Sequence, residues 1–319
     1  MKISILGTGA YGMAIASVLH YNKHSIKMWT NSNEEANYLN TNKKSPKVNY
    51  DIPSDIIIST NMKDVVSDSD VIIFATPSEF VSGVSKELSN YYNNQYIGIT
   101  SKGIDNKSLL CLSDVVKMNI STDLIAVISG CTFASDMVRK SVLGINVASK
   151  SLDALNVISS ILENDYLSVY KTSDVIGTEI CGAIKNIMAI GNGIINGMEF
   201  PESSSAMFIT LATREITDLI KCLGGEVNTI FSFAGIGDLI LTCNSKESRN
   251  FTLGNMIGKK FDTKDYIENT TIEGLYTLHA ITNIVKNNNI NMPIITMIDD
   301  IVNGKKNPDD FIKLLIKLK

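Results

Sequence analysis

The stretch Lys2-Ile3-Ser4-Ile5-Leu6-Gly7-Thr8-Gly9-Ala10-Tyr11-Gly12-Met13-Ala14-Ile15-Ala16 decides the fold. An apolar, β-rich run, Ile3–Leu6, enters three glycines spaced G-x-G-x-x-G, and the apolar residues behind them (Met13, Ala14, Ile15, Ala16, Val18, Leu19) suit a buried helix. The strand before and the helix after turn a common glycine spacing into a dinucleotide-binding turn. Gly7 permits the tight turn, Gly9 lets the backbone approach a pyrophosphate, and Gly12 lets helix and strand pack closely. The helix start then offers unpaired N–H groups and a partial positive charge to phosphates.

Working outward from that turn, short apolar runs alternate with helical stretches: Ile3–Leu6, Ser25–Trp29, Asp55–Ile58, Asp70–Ala75, Tyr96–Thr100, Leu124–Ser129 and Gly144–Ala148. Near-continuous apolar strands separated by helices predict a parallel sheet covered on both faces. After Thr172 the alternation stops and helical periodicity takes over. A helix is expected over Val175–Met198, with Gly182, Asn186, Ala189 and Gly193 forming a small-residue face for close packing. Others are expected at Ser203–Cys222, Ser248–Gly258, Glu273–Asn287, Pro293–Asn303 and Pro308–Leu318. The fold expected is α/β: a Rossmann-type domain over residues 1–172 and an all-helical domain over 173–319, with the boundary near Tyr170–Asp174. A chain of 319 residues suits two domains better than one.

Composition narrows the function classes. The net charge of −4, with Lys and Arg scattered singly, gives no basic footprint for nucleic acid. The five cysteines are widely spaced, with no CxxC pair, and the three histidines have no metal-ligand spacing, so no metal is assigned and a reducing, cytoplasmic setting is expected. The N-terminal apolar run is cut by the glycines before it can form a signal-peptide core. No uninterrupted apolar run of about 18 residues is present to span a membrane. Beyond the second strand stands Trp29-Thr30-Asn31-Ser32-Asn33, without the acidic residue that reads a ribose 2′-OH and without an Arg for a 2′-phosphate, so the choice between NAD and NADP stays open.

Four further segments carry unusual chemistry: Thr100-Ser101-Lys102-Gly103-Ile104, Ser129-Gly130-Cys131-Thr132-Phe133-Ala134, Gly182-Ala183-Ile184-Lys185-Asn186, and the run from Gly235 through Asp238 to Ser248-Arg249-Asn250. Read singly, Lys102 and Gly130 terminate strands, while Asp238 and Ser248 cap helices. Lys185 is harder to dismiss, because its neighbours three and four residues away, Gly182, Cys181, Met188 and Ala189, give its ammonium no carboxylate partner on its own helix. Asp238, within an apolar and glycine-rich run, is expensive to bury unless a positive group pairs with it.

Together with the glycine turn, these segments resemble the NAD(P)-dependent glycerol-3-phosphate dehydrogenases, and the resemblance extends over essentially the whole chain. It implies a Rossmann domain followed by a helical domain, a homodimer, and hydride transfer between NAD(P)H and dihydroxyacetone phosphate, giving the glycerophospholipid precursor sn-glycerol 3-phosphate. By the same resemblance Lys185 is the proton donor and acceptor, with Lys102 and Asp238 beside it in the chemistry. Lys102, Gly130, Thr132, Lys185, Asp238, Ser248, Arg249 and Asn250 surround the substrate. Gly7, Gly9, Ala10, Tyr11, Gly12, Asn31, Lys102, Ala134, Arg249, Thr271 and Glu273 line the cofactor. The chain departs from the family pattern at Cys131, where Pro is usual, and at Tyr11, where Trp is frequent. No His accompanies Cys131, so an ordinary loop cysteine is expected there.

Physical chemistry adds that Lys102, if close, lowers the pKa of Lys185 together with burial. Arg249 is expected to clamp a phosphate through its planar fork, helped by Ser248 and Asn250. Two other readings compete: a related two-domain dehydrogenase of the hydroxyacyl-CoA or ketopantoate type, and a catalytically silent dinucleotide sensor. The first lacks a placed His with a carboxylate partner, and the second is disfavoured by the survival of Lys185, Asp238 and Arg249 at motif positions.

Overall fold

The structure, a computed structural model, describes residues 1–318. The chain divides into two compact units, one formed by Met1–Ser101 with Leu112–Val175, the other by Lys102–Cys111 with the chain from Ile176 onward. The segment Lys102–Cys111, read from sequence as part of the first domain, thus groups with the helical unit.

The first unit is built on an eight-stranded sheet. Its strands are β1 (Lys2–Leu6), β2 (Ser25–Trp29), β3 (Ile57–Ser59), β4 (Val71–Phe74), β5 (Tyr96–Ile99), β6 (Ile125–Gly130), β7 (Leu143–Ala148) and β8 (Leu167–Thr172), in the order β8-β7-β6-β5-β4-β1-β2-β3. β1 lies between β2 and β4, with Lys2 opposite Ser25 and Ile3 opposite Val71, so the chain order reverses at β1 and the glycine turn leaves from that point. In open α/β sheets this reversal is where ligands bind. Alternate residues face opposite sides: Ile3, Ile5, Val71 and Ile73 enter one core, while Leu6, Ile72, Phe74, Ile97 and Ile99 enter the other. Both faces are therefore covered, as the unbroken apolar runs require.

The strands from β1 to β6 pair in parallel, but β6 and β7 are antiparallel, with Gly130 opposite Ile145. The reason is chain length. Residues 131–142 contain only the five-residue helix Ala134–Val138, too little to cross a sheet face and return, so β7 starts beside the end of β6. After the helix Leu152–Leu162, β8 pairs in parallel with β7 and completes the sheet. Sequence reading found no strand there, since Ser168-Val169-Tyr170-Lys171 is largely exposed and carries little apolar signal.

The second unit is helical. Its main helices are α2 (Val175–Gly197), α3 (Glu202–Cys222), α4 (Asp238–Asn244), α5 (Arg249–Gly258), α6 (Glu273–Asn287), α7 (Pro293–Val302) and α8 (Pro308–Lys317), counted after α1 (Ala10–Tyr21) of the sheet unit. α2 is buried on nearly every face, as a helix at the centre of a bundle must be. A Cβ on Gly193 would lie 2.2 Å from the Phe251 carbonyl oxygen, and one on Gly254 2.0 Å from that of Ile190, so α2 and α5 touch backbone to backbone. That contact sets the start of α5, where Arg249 and Asn250 stand, against the helix that carries Lys185. Ile104, from Lys102–Cys111, is buried in the same core.

Candidate active site

In the helical unit the fold assembles three charges from distant parts of the chain. Asp238 is fully buried, its Oδ2 accepting from Lys102 Nζ at 2.6 Å and its Oδ1 from Lys185 Nζ at 2.6 Å. Thr242, one turn further along α4, accepts from Lys185 Nζ at 3.0 Å and donates to Asp238 Oδ1 at 3.2 Å. Local geometry explains why Asp238 is available. Gly235 leaves helical geometry (ψ −111°), the chain makes a wide turn over Phe233–Gly237, and α4 begins with Asp238 in its first turn, where a carboxylate is favoured.

The electrostatics follow from one anion facing two cations. Burial lowers the Lys185 pKa to about 8; the Asp238 carboxylate opposes that shift and the Lys102 ammonium adds to it. Burial acts to raise the Asp238 pKa, but the Lys102 and Lys185 ammoniums outweigh it and hold the carboxyl below its ordinary range. The neighbouring Cys243 thiol is pushed up by burial, so it stays protonated beside the cluster.

Two turns of helix nearby hold the other residues expected on this unit. Ser248 caps α5, its Oγ accepting from the Phe251 N–H at 3.2 Å, which leaves its own O–H able to donate. Arg249 is exposed, and its guanidinium makes no hydrogen bond or ion pair among the described residues. Asn250 is buried and donates from Nδ2 to Asn186 Oδ1 at 3.1 Å, one residue beyond Lys185. Thr271 is exposed just before α6, and Glu273 at the start of that helix accepts from Asn186 Nδ2 at 3.3 Å.

The sheet unit holds the remaining residues. Gly7 has φ +122°, and a Cβ there would lie 2.6 Å from the Ala75 carbonyl oxygen; on Gly12 it would lie 2.3 Å from that of Gly7. Both must therefore be glycine. A Cβ on Gly9 would instead meet nothing within 4 Å, and Gly9 begins α1 with no side-chain cap. An uncapped helix start beneath open space fits a dinucleotide pyrophosphate. Ala10 and Tyr11 follow in the first turn, and the Tyr11 hydroxyl lies 2.9 Å from Thr132 Oγ1. Ala134 opens the next short helix, and Asn31 is exposed after β2. Gly130 has a packing reason of its own, because a Cβ would lie 2.6 Å from Ile145 Cα. Cys131 Sγ donates to the Gly144 carbonyl at 3.4 Å.

Three residues near these sites carry no site role in the sequence reading. Thr242 and Asn186 lie inside the unusual segments, Asn186 on the expected small-residue face, and each stands a short helical step from a residue that did receive a role. Glu35 lies several residues past the position where an acidic residue was sought. Its carboxylate accepts from Thr30 Oγ1 at 2.7 Å and from Lys47 Nζ at 2.5 Å, and a hydrogen bond also ties it to Thr8 in the glycine turn. Burial acts to raise its pKa, but these donors win and lower it.

Among the described residues no helix is long and apolar enough to cross a membrane, and no group of His, Cys, Asp or Glu is arranged to hold a metal.

Comparison with known proteins covers the whole chain. Residues 2–155 match the family model for the N-terminus of NAD-dependent glycerol-3-phosphate dehydrogenase, and residues 174–313 match the model for its C-terminus. A glycerol-3-phosphate dehydrogenase [NAD(P)+] of Oceanobacillus iheyensis is 32% identical, over 99% of this chain and 93% of its own. One from Thermoanaerobacter sp. is 33% identical, over 97% and 94%. The crystal structure of the Coxiella burnetii glycerol-3-phosphate dehydrogenase superposes with a TM-score of 0.93 at 27% identity, covering 99% of this chain and 98% of that one. A ketopantoate reductase from Ralstonia eutropha shares the fold alone, with a TM-score of 0.63 at 11% identity.

Proposed function

Because the chain belongs to the NAD-dependent glycerol-3-phosphate dehydrogenase family, we propose that its NAD(P)-dependent exchange of a hydride between dihydroxyacetone phosphate and sn-glycerol 3-phosphate is run by the Lys102–Asp238–Lys185 cluster. The observation that carries this reading is the single buried carboxylate shared by two ammoniums. Ketone reduction needs a hydride on carbon and a proton on oxygen. When bound, the nicotinamide supplies or accepts the hydride.

Lys185 handles the proton. Its Nζ carries three donors, and Asp238 and Thr242 take two, which orients the ammonium and leaves one N–H for the substrate oxygen. With a pKa of about 8 the group gives up its proton readily during reduction and recovers one in the reverse direction. Lys102 adds a second positive charge to stabilise the developing alkoxide, and Asp238 keeps both cations in place.

Arg249 takes the substrate phosphate through its fork, with the Ser248 hydroxyl and the spare N–H of Asn250 completing the hold. Binding energy from that end of the molecule orients the carbonyl. Gly130 and Thr132 are assigned to the substrate as well. Gly7, Gly9, Gly12, Ala10, Tyr11, Asn31, Ala134, Thr271 and Glu273 are assigned to the dinucleotide, with Lys102 and Arg249 serving both ligands. We further propose that the enzyme works as a cytoplasmic homodimer and supplies sn-glycerol 3-phosphate for glycerophospholipid synthesis.

Asp238→Asn tests the cluster. Loss of NAD(P)H absorbance on addition of dihydroxyacetone phosphate should slow by about a hundredfold or more, with cofactor binding retained by fluorescence. Turnover near wild type would remove Asp238 from the chemistry.

A further inference from the structure

The side chains of Asn186, Asn250 and Glu273 form a hydrogen-bonded ring whose direction is fixed by one backbone group. The Gly274 N–H can only donate, and it lies 2.9 Å from Asn250, so the amide atom facing it is Oδ1. Asn250 Nδ2 then points at Asn186, which must accept through Oδ1, at 3.1 Å. That turns Asn186 Nδ2 toward Glu273 Oε2, at 3.3 Å, a carboxylate that accepts. Since Glu273 and Gly274 are consecutive, the ring closes through the backbone. Flipping either amide would set donor against donor and acceptor against acceptor.

The two amides are protected from water, with Asn186 at 4% and Asn250 at 7% exposure, while Glu273 is half-buried. A mispaired polar group in such surroundings is costly. Two details show how closely it is built. The residue before α6 is Ile272, which has no capping side chain, so Asn250, from another helix, satisfies one of its first N–H groups. A Cβ on residue 274 would lie 2.6 Å from Asn250 Oδ1 and 2.8 Å from the Asn186 carbonyl oxygen, so only glycine admits the approach.

We propose that Asn186 is a positioning residue: it locks the Asn250 amide in the orientation that presents its one remaining N–H to the substrate phosphate, and ties that orientation to the Glu273 carboxylate. The inference rests on the reading above that Asn250 meets the substrate and Glu273 the cofactor. Its consequence is a link between the two ligands. The Gly274 N–H sets the direction of the Asn250 amide, and Asn186 ties that same amide to the Glu273 carboxylate without touching a reacting atom.

A charge exchange tests it. Asn186→Asp turns an acceptor toward the Glu273 carboxylate and should raise KM for dihydroxyacetone phosphate at least about tenfold at neutral pH, with kcat changed less. In a Glu273→Gln background the Gln amide can donate to the new carboxylate, so adding Asn186→Asp should leave KM within about threefold of Glu273→Gln alone. An equal penalty in both backgrounds overturns the proposal. Should Asn186→Asp fail to fold, Asn186→Ala asks the same question: a raised substrate KM with kcat nearly retained supports the role, and an unchanged KM overturns it. If instead Glu273→Gln leaves cofactor KM unchanged and Arg249→Lys leaves substrate KM unchanged, the underlying site assignment has failed. If those move and only the exchange shows no coupling, Asn186 alone is misassigned.

Discussion

The glycine turn of the sheet unit and the ion cluster of the helical unit solve different problems with different material. The turn uses backbone: Gly7 and Gly12 are required by close approach, Gly9 opens onto free space, and all lie within six consecutive residues. The cluster uses side chains brought from positions 102, 185, 238 and 242, and it exists only once the helices have packed. Binding phosphates asks for fixed N–H groups, which a helix start supplies at once. Moving a proton asks for an ammonium whose pKa is lowered, which burial together with a neighbouring like charge supplies.

If the two regions divide the work in this way, substitutions in them should fail differently. The largest effect is expected for Lys185→Ala, which should lower kcat by about a thousandfold while leaving the dissociation constant of the dinucleotide near wild type. Weakened dinucleotide binding in that variant would blur the comparison. Gly7→Ala should do the reverse. The added methyl meets the Ala75 carbonyl, so about 2–3 kcal/mol of stability should be lost and cofactor KM should rise at least about tenfold. Retained cofactor affinity with a lowered kcat alone would contradict the backbone account. A smaller effect is expected for Arg249→Lys, which keeps the charge but loses the fork. Substrate KM should rise about tenfold, and cofactor KM, which Arg249 also serves, by a smaller factor.

The same contrast governs what sequence could reveal. The turn and the strands around it were legible because their signals are local: glycine spacing, apolar runs, and an apolar helix behind Gly12. The longer helices of the second unit were likewise legible from period and caps, with Ser248 placed as the cap of α5, whereas the seven-residue α4 (Asp238–Asn244) is too short to show a period. The antiparallel β7 was not, because strand direction depends on how much chain joins β6 to it. β8 was missed because an exposed edge strand has few apolar residues.

In the candidate site, Lys185 and Asp238 stood out because a lone charge in an apolar helix demands a partner. Their pairing with each other and with Lys102 was readable only by family resemblance, and the structure supplies it directly. Thr242 and Asn186 carry no such demand. A threonine or asparagine on a helix is unremarkable until tertiary packing places it against Lys185 or Glu273. Glu35 was hidden by distance, since its link to Thr30 and Thr8 depends on the geometry of the chain after β2.

The pH dependence of the two directions, in wild type and in Asp238→Asn, tests most directly whether Lys185 is the proton carrier. Burial and Lys102 lower its pKa to about 8 against the opposing pull of Asp238. Oxidation of sn-glycerol 3-phosphate needs the neutral amine, so its kcat should rise through about pH 8, and reduction, which needs the ammonium, should fall through the same range. Removing the Asp238 charge removes the main influence holding the proton on, so both limbs should move to lower pH. An oxidation rate flat between about pH 6 and 10, or limbs unmoved in Asp238→Asn, would contradict the account.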